Sequence, residues 1–297
     1  ETDVGFLEGK LKIMTAEAEE KGQVAAGIAE TVQREKAVVE AENAKALVEA
    51  SKVAEVQTEV ARQQASCAAD LALADVVYLP TITDPAKIMC VGLNYKAHQE
   101  ETGRGGEGYP TIFVRFADAQ MGHNAPMVRP LESTSLDFEG EIALIVGKAG
   151  RRIKPAQARE HIAGFAIYND GSVRDYQRQT SQFTPGKNFA STGGFGPWMM
   201  TLDEIGDLDA MEITTRLNGE VMQNATSDLL VHGFDEILEY CSTFVELKPG
   251  DVIVTGTPGG VGAARTPPVF MDAGDLIEVE VKPIGILSNP VVAEAAS

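Results

Sequence analysis

Residues 137–147 read DFEGEIALIVG, an acidic stretch that leads directly into an apolar one. The apolar run Ile142–Val146 predicts a buried strand. Glu139 and Glu141 are two positions apart, and on a strand such residues project from the same face. Two carboxylates placed in this way repel each other, and burial disfavours their ionised forms. A bound cation would remove both penalties.

A third carboxylate follows in the segment GFAIYNDGSVRDYQ, residues 164–177. Asp170 comes where an apolar strand ends and before a predicted turn or helix, a position from which it could join the two glutamates. Three carboxylates without cysteine or clustered histidine predict a hard cation with oxygen ligands, Mg²⁺ or Mn²⁺, with Ca²⁺ as an alternative. The other interpretation is that Glu139 and Glu141 lie on a solvated strand face and that Asp170 is a turn residue.

The chain from Tyr78 onward predicts an α+β fold that is rich in strands. Short β-branched runs have Gly, Pro, Asp or Asn close by, which is typical of strands between turns. A hairpin is predicted to turn at Asn218–Gly219, and helices are predicted over Pro155–Ile162 and Phe234–Phe244. The predicted strands are Lys87–Val91, Thr111–Arg115, Glu141–Val146, Gly164–Tyr168, Met211–Leu217, Asp251–Thr255 and Leu276–Val281.

The N-terminal part of the chain has a different composition. Residues 1–79 contain no proline, and Thr15–Ala74 is rich in Ala, Glu, Lys and Gln, which favour helix. We therefore predict one or two long amphipathic helices, and a division into a helical N-terminal region, 1–76, and a main domain, 77–297. These helices either pack on the main domain or mediate assembly.

Charge and composition exclude several classes of protein. The 297 residues carry a net charge of −19, which argues against a nucleic-acid partner and against binding to an anionic membrane surface. No apolar run approaches the roughly 20 residues that a membrane-spanning helix needs. An anionic substrate would need a local positive centre, either a metal ion or a few placed Arg and Lys side chains.

The cysteines and the acidic start of the chain indicate its compartment. Cys67, Cys90 and Cys241 form no paired or zinc-binding pattern, which favours free thiols in a reducing compartment. The start, with Glu1 and Asp3, is not typical of a secretory or transit peptide. We therefore expect a cytoplasmic protein.

Seven blocks of sequence, in order, resemble the fumarylacetoacetate hydrolase family over about Leu79 to Val292. The resemblance implies a mixed β-sheet roll or sandwich, usually as a homodimer, and a divalent-metal-dependent enzyme that acts on a small 2-oxo acid. Relatives usually begin with strands, so the helical N-terminal region departs from the family pattern. The blocks are KIMCVGLNYKAHQEE (87–101), DFEGEIALIVGK (137–148), GFAIYNDGSVRDYQ (164–177), FTPGKNF (183–189), FGPW (195–198), LNGEVMQNATSDLL (217–230) and LKPGDVIVTGTPGGVG (247–262).

The resemblance also implies roles for single residues. The family's metal carboxylates match Glu139, Glu141 and Asp170, and the lysine near the metal matches Lys187. The substrate-facing positions match Arg174, Gln177 and Thr257. Arg115 stands where many relatives have lysine, so it either binds a substrate carboxylate in bidentate fashion or only closes a strand.

In the acylpyruvase-like branch of the family, a His and a Glu on a mobile lid activate water, and they match His98 and Glu101. These two residues are neighbours on a helical turn, because they are three positions apart. A carboxylate bonded to one imidazole nitrogen fixes the tautomer and raises the basicity of the ring. The other interpretation is an exposed histidine beside a helix acid.

The segment TGTPGGVG, Thr255–Gly262, is rich in glycine but lacks the spacing of a phosphate-binding loop. Its glycines predict that backbone N–H groups approach a carboxylate closely.

The resemblance implies hydrolysis of the C–C bond of a 2,4-dioxo acid such as an acylpyruvate or fumarylpyruvate, releasing pyruvate and a carboxylic acid. Oxaloacetate decarboxylation, or isomerisation of 2-hydroxyhepta-2,4-diene-1,7-dioate, would use the same site, and the presence of His98 and Glu101 favours hydrolysis. A non-catalytic metabolite-binding module is a further alternative, against which the complete acidic triad argues.

Overall fold

The structure of the protein is a computed structural model that describes residues 71–105 and 108–295, together with six isolated residues before them. The chain divides into two units, Glu1–Asp75 and Val76–Ser297. Most of the helical region predicted for residues 1–76 lies outside the described residues, and so does its predicted role in packing or assembly. The six isolated residues are helical, and they are Lys12, Gln33, Arg34, Lys36, Lys45 and Lys52.

The described part of the second unit contains fourteen strands and five α-helices. The strands are β1 (Ile88–Gly92), β2 (Thr111–Arg115), β3 (Gln120–Met121), β4 (Met127–Arg129), β5 (Leu136–Asp137), β6 (Gly140–Val146), β7 (Ile162–Asp170), β8 (Ser172–Val173), β9 (Gly193–Thr201), β10 (Glu212–Leu217), β11 (Glu220–Thr226), β12 (Val252–Val254), β13 (Leu276–Lys282) and β14 (Gly285–Ala293). The α-helices are α1 (Lys96–Thr102), α2 (Arg174–Gln177), α3 (Thr184–Lys187), α4 (Leu202–Ile205) and α5 (Phe234–Phe244). Short 3₁₀ helices of this unit cover Ala117–Ala119, Pro155–His161, Leu208–Ala210, Ser227–Leu229 and Gly262–Ala264, and one in the first unit covers Leu73–Asp75.

The strands form a seven-stranded mixed sheet, a five-stranded sheet and a two-stranded pair. The seven-stranded sheet has the order β2-β1-β12-β6-β7-β9-β3, and the five-stranded sheet has the order β11-β10-β13-β14-β4. β5 pairs with β8. The strand-rich α+β fold predicted from the sequence is confirmed.

Strand β6 is buried along its whole length, so both faces of the large sheet are covered there. Ile142 and Leu144 belong to the main core, which also contains Ile213 of β10 and Ile237 of α5. Side chains alternate across a strand, so Glu141 projects from the opposite face of β6. On that face Ala143, Ile145, Ala166 and Tyr168 form a second apolar cluster. The carboxylate of Glu141 therefore lies at the end of an apolar face.

Several elements agree with the sequence. The hairpin turns where expected, with positive φ at both Asn218 and Gly219, and α5 has the predicted bounds. All seven predicted strands are present, with ends that shift by up to two residues on most of them. The helix predicted over Pro155–Ile162 is a 3₁₀ helix over Pro155–His161. The sequence did not predict β9, which has three glycines and a proline among its nine residues.

Gly164 allows β7 and β9 to approach closely. A Cβ at this position would lie 2.1 Å from the backbone carbonyl oxygen of Met200, which a paired strand holds in place. We expect Gly164→Ala to lower the free energy of unfolding by about 2 kcal/mol, the usual cost of overpacking. Urea unfolding of the full chain measures this change.

Gly108→Ala is the matched control, because no heavy atom of the described residues lies within 4 Å of a Cβ at that position. An unchanged unfolding midpoint for Gly164→Ala would contradict the close approach of the two strands.

Candidate active site

Three carboxylates converge at the ends of β6 and β7. Glu139, Glu141 and Asp170 each offer an oxygen, and these oxygens lie within 4.8 Å of one another. Antiparallel pairing brings them together: Gly140 is opposite Asn169, and the Asp170 N–H donates to the Glu139 carbonyl at 2.8 Å. All three residues are buried. The alternative of an exposed strand face is therefore not what the structure has.

Lys187 lies between two of the three acids. Its Nζ donates to Glu139 Oε2 and to Asp170 Oδ2, at 2.6 Å each. Burial would lower the pKa of Lys187, but Asp170 and Glu139 outweigh it, so this pKa lies above its ordinary value. The lysine therefore remains protonated and holds the two carboxylates in place.

Two arginines contact the same acids from other sides. Arg115 donates to Asp170 Oδ1 at 2.5 Å and to the carbonyl of Gly171, while Arg174 lies 2.6 Å from Glu139 Oε1. Burial alone would raise the pKa of Glu139, but Lys187 and Arg174 outweigh it and hold that pKa below its ordinary value.

Glu141 differs from the other two acids because no cationic side chain pairs with it in the described part of the chain. Its hydrogen-bond donor is the backbone N–H of Gly256, 2.5 Å from Oε2. Burial raises the pKa of Glu141 well above its ordinary value, and the charges of Asp170 and Glu139 raise it further. The site thus contains a buried carboxylate that is short of positive charge.

A divalent cation fits this set of residues. Three convergent carboxylate oxygens with no sulfur or imidazole among them are the donors that Mg²⁺, Mn²⁺ and Ca²⁺ prefer. A cation here would also supply the positive charge that Glu141 lacks. The buried acidic triad is therefore able to hold a divalent metal.

His98 and Glu101 form a hydrogen-bonded pair on α1. His98 Nδ1 lies 2.7 Å from Glu101 Oε1, and the second carboxylate oxygen accepts from the backbone N–H of Gly260 at 2.7 Å. His98 is buried, with 6% of its surface exposed. The pairing predicted from the three-residue spacing is present, and the ring is held by a carboxylate that is itself fixed.

One cavity of about 370 Å³ connects the dyad with the acids. Its lining includes two of the three acids, the dyad, Lys187, Arg174, Gln177 and Thr257. Arg174 Nη2 is buried and has no hydrogen-bond partner among the described residues. A donor in this state is available to an oxygen of a ligand in the cavity.

Two residues predicted to contact substrate are engaged elsewhere. The Thr257 hydroxyl donates to the Gly140 carbonyl at 3.0 Å and accepts from Gln223 Nε2 at 2.8 Å. Arg115 does not line the cavity and lies behind Asp170, where Nη2 also donates to Thr192 Oγ1. This placement supports neither substrate binding by Arg115 nor simple closure of a strand, because the side chain fixes a metal-site acid.

Two supporting residues were not singled out from the sequence. Asp137 accepts four hydrogen bonds, from Arg174 Nε and from the N–H groups of Phe138, Gly262 and Ala263. Gln223 Oε1 accepts from the N–H of Gly140. The spacing D-x-E-x-E could have indicated Asp137, because it continues the two-residue period of the glutamates.

Comparison with known proteins identifies the family of this chain. Residues 87–292 match the family model described as fumarylacetoacetate (FAA) hydrolase C-terminal. The chain belongs to the fumarylacetoacetate hydrolase family. A mitochondrial oxaloacetate tautomerase of Bos taurus is 40% identical over 220 residues, which are 73% of this chain and 70% of the relative.

Solved structures of this family have the same fold. A 5-carboxymethyl-2-hydroxymuconate delta-isomerase from Mycobacterium smegmatis is 37% identical with a TM-score of 0.67, covering 76% of this chain and 86% of that one. A 2-hydroxyhepta-2,4-diene-1,7-dioate isomerase from Mycobacterium marinum is 35% identical with a TM-score of 0.67, covering 76% and 81%. The predictions of this family, of its fold and of an enzyme are confirmed.

The relatives give only partial information on the cellular compartment of this protein. The Bos taurus relative is named as mitochondrial, which differs from the expected cytoplasm, and the compartment stays a prediction. Among the described residues, no helix has the length and apolar character needed to cross a bilayer. The homodimer and the expected absence of nucleic-acid and membrane partners also stay predictions.

Replacement of Glu141 tests the metal site without relying on activity. We expect Mn²⁺ to stabilise the EDTA-treated parent by about 2.7 kcal/mol at roughly 100 times its dissociation constant. Glu141→Gln should lose most of this gain, because one ligand is neutralised. In EDTA the variant should be at least as stable as the parent, because a buried carboxylate without a cationic partner has been removed.

Thermal unfolding with and without Mn²⁺ measures both effects, with Glu220→Gln as the control because this glutamate is exposed on β11. Full metal stabilisation of Glu141→Gln would rule out Glu141 as a ligand.

Replacement of Asp137 tests its supporting role. Asp137→Asn leaves one acceptor oxygen where the carboxylate has two, so buried Arg174 loses a charged partner. We expect the free energy of unfolding to fall by about 3 kcal/mol. Urea unfolding measures this, with exposed Asp118→Asn as the control. Equal stability of the two variants would show that the four hydrogen bonds contribute little.

Proposed function

We propose that this protein is a Mg²⁺- or Mn²⁺-dependent enzyme that interconverts the keto and enol forms of a 2-oxo dicarboxylic acid, with oxaloacetate as the substrate. The observation that carries the proposal is the single cavity in which Glu139 and Glu141 of the acidic triad, Lys187 and the His98–Glu101 pair meet. The Bos taurus relative is named as an oxaloacetate tautomerase, and the two mycobacterial relatives are named as isomerases. These names favour enol chemistry over C–C bond hydrolysis.

Glu139, Glu141 and Asp170 would hold the metal. A bound Mg²⁺ or Mn²⁺ supplies a Lewis acid that polarises the 2-oxo group and makes the neighbouring carbon more acidic. Lys187 and Arg115 keep the acids in place, since both are buried and bonded to Asp170. The protein therefore presents a preorganised site, which lowers the cost of reorganisation during the reaction.

His98 is the proposed proton carrier. Its Nδ1 is bonded to Glu101, so Nε2 is the nitrogen free to accept a proton from the carbon beside the 2-oxo group. Glu101 stabilises the imidazolium that results, and it is kept in position by the N–H of Gly260. Return of that proton to the 2-oxo oxygen completes the change from ketone to enol, with no net gain or loss of atoms.

Arg174 is the proposed substrate anchor. Its Nε and Nη1 are occupied by Asp137, Glu139 and Gln177, which fixes the plane of the guanidinium. Nη2 is left as a buried donor in a residue that lines the cavity. A carboxylate oxygen of the 2-oxo acid would satisfy it, and charge-assisted hydrogen bonds of this kind are among the stronger ones.

Hydrolysis of an acylpyruvate is the second candidate, and the His98–Glu101 pair favours it. A carboxylate-held imidazole can remove a proton from water as well as from carbon. Water would then attack the distal carbonyl, and the C–C bond would break to give pyruvate and a carboxylic acid. Decarboxylation of oxaloacetate would need the same enol stabilisation but no water.

A parallel assay separates these reactions. NMR in D₂O monitors the exchange of the C3 hydrogens of oxaloacetate for deuterium. We expect this exchange to depend on Mg²⁺ and to be faster than hydrolysis of acetylpyruvate or fumarylpyruvate. His98→Asn should slow the exchange by about 10²–10⁴-fold, the usual contribution of a general base. His161→Asn is the control, because His161 lies outside the cavity lining and contacts the Lys148 carbonyl.

Faster hydrolysis of an acylpyruvate than exchange of oxaloacetate would replace the main proposal with the second candidate. Undiminished exchange in His98→Asn would remove His98 from the mechanism.

A further inference from the structure

The cavity has a buried inner end and a cationic mouth. Glu139, Glu141 and Lys187 at the inner end have at most 5% of their surface exposed. Arg104 and Arg178 also line the cavity, and both are exposed. A ligand bound at the inner end would therefore share its cavity with two exposed arginines.

Arg178 follows α2 directly and continues its helical turn. Its N–H donates to the Arg174 carbonyl at 3.1 Å, so the two arginines are four residues apart on one helical face. The guanidinium of Arg174 is anchored among buried acids, whereas that of Arg178 has no hydrogen bond or ion pair within the described residues. Arg178 thus repeats the charge of Arg174 one turn nearer to solvent.

Arg104 reaches the same mouth from α1. The helix ends at Thr102 and is capped by Gly103 in a left-handed conformation, and the Arg104 N–H donates to the Gln99 carbonyl at 3.1 Å. Arg104 is three residues after Glu101, and its guanidinium likewise has no ion pair or hydrogen bond with any described residue. Two independent segments therefore each supply a cation to the mouth.

The surrounding charges make these cations unusual. The chain as a whole has a net charge of −19. In contrast, only three of the described residues that line the cavity are acidic, namely Glu101, Glu139 and Glu141. Glu101 is already bonded to His98 and Gly260, and the other two belong to the metal site. Among the described residues, nothing neutralises the positive charge at the mouth, which therefore attracts an anion.

Apolar side chains also line the cavity, although polar groups make up more of its surface. Phe113, Phe183, Val261 and Ala263 line it and offer contact to carbon atoms but no hydrogen bond from their side chains to a charge. A second carboxylate at the far end of a substrate would find no charged partner in these side chains, whereas the arginines offer one.

We propose that Arg104 and Arg178 form a second carboxylate subsite, which selects 2-oxo acids with a carboxylate at the end remote from the 2-oxo group. This inference rests on the proposed function, because it assumes that the 2-oxo end binds at the acidic triad. It makes Arg104 and Arg178 specificity residues that contact substrate but take no part in proton transfer.

Two stable ligands of equal carbon number test the subsite. 2-Oxoglutarate and 2-oxopentanoate differ in the distal group, which is a carboxylate in the first and a methyl in the second. Calorimetric titration of each ligand into the full chain, in the presence of Mg²⁺, gives the two dissociation constants. We expect 2-oxoglutarate to bind more tightly than 2-oxopentanoate, and the ratio of their dissociation constants measures the preference. The double variant Arg104→Gln/Arg178→Gln should reduce this preference by about tenfold, and each single variant by about threefold.

The controls separate charge from folding. The affinity for 2-oxopentanoate should stay unchanged in all variants, which reports an intact inner end. Arg178→Lys should keep part of the preference, and exposed Arg159→Gln, outside the cavity lining, should keep all of it. Higher salt should reduce the preference in the parent, because exposed charges are screened.

A parent that binds both ligands equally, or binds neither, would overturn the subsite, as would a double variant that keeps the full preference. Failure of the proposed function has a different signature, namely no Mg²⁺-dependent deuterium exchange at C3 of oxaloacetate while the preference between the two ligands is retained. If the parent shows normal exchange but the double variant keeps its preference, the subsite is overturned and the proposed function is not.

Discussion

The pairing of β6 with β7 brings three carboxylates into a small space that water hardly reaches, and the surrounding residues compensate for that burial. Lys187, Arg115 and Arg174 balance Glu139 and Asp170, each within 2.6 Å of a carboxylate oxygen. Buried like charges are costly unless they are paired or bind a cation. The incomplete compensation at Glu141 is what makes the site suited to a metal ion.

The loop after β12 is the second organising element. Its backbone N–H groups serve three acids: Gly256 donates to Glu141, Gly260 to Glu101 and Gly262 to Asp137. Gly256 and Gly260 have φ of +106° and +107°, a conformation that residues with a Cβ rarely adopt. The glycine-rich composition is therefore explained by close contact with carboxylates, as the sequence indicated.

The sequence predicted what depends on local periodicity. The two-residue spacing of Glu139 and Glu141, the Asn-Gly hairpin and the three-residue spacing of the dyad each report a contact between near neighbours. Contacts between segments that are far apart in the chain could not be predicted from such spacing. The placement of Arg115 behind Asp170 depends on β2 and β7, which are not adjacent in the sheet. Strand β9 was missed because its glycines and proline are typical of loops.

The Gly256–Gly260 segment contacts both the acidic triad and the dyad, and this has a thermodynamic consequence. A movement of the whole segment would change the hydrogen bond to Glu141 and the support of Glu101 together, and through Glu101 that of His98. Occupancy of one end of the cavity and alignment of the other would then be linked equilibria. Such linkage is reciprocal. A ligand that orders the histidine end would raise the affinity of the protein for the metal ion by the same factor by which the ion raises its affinity for that ligand.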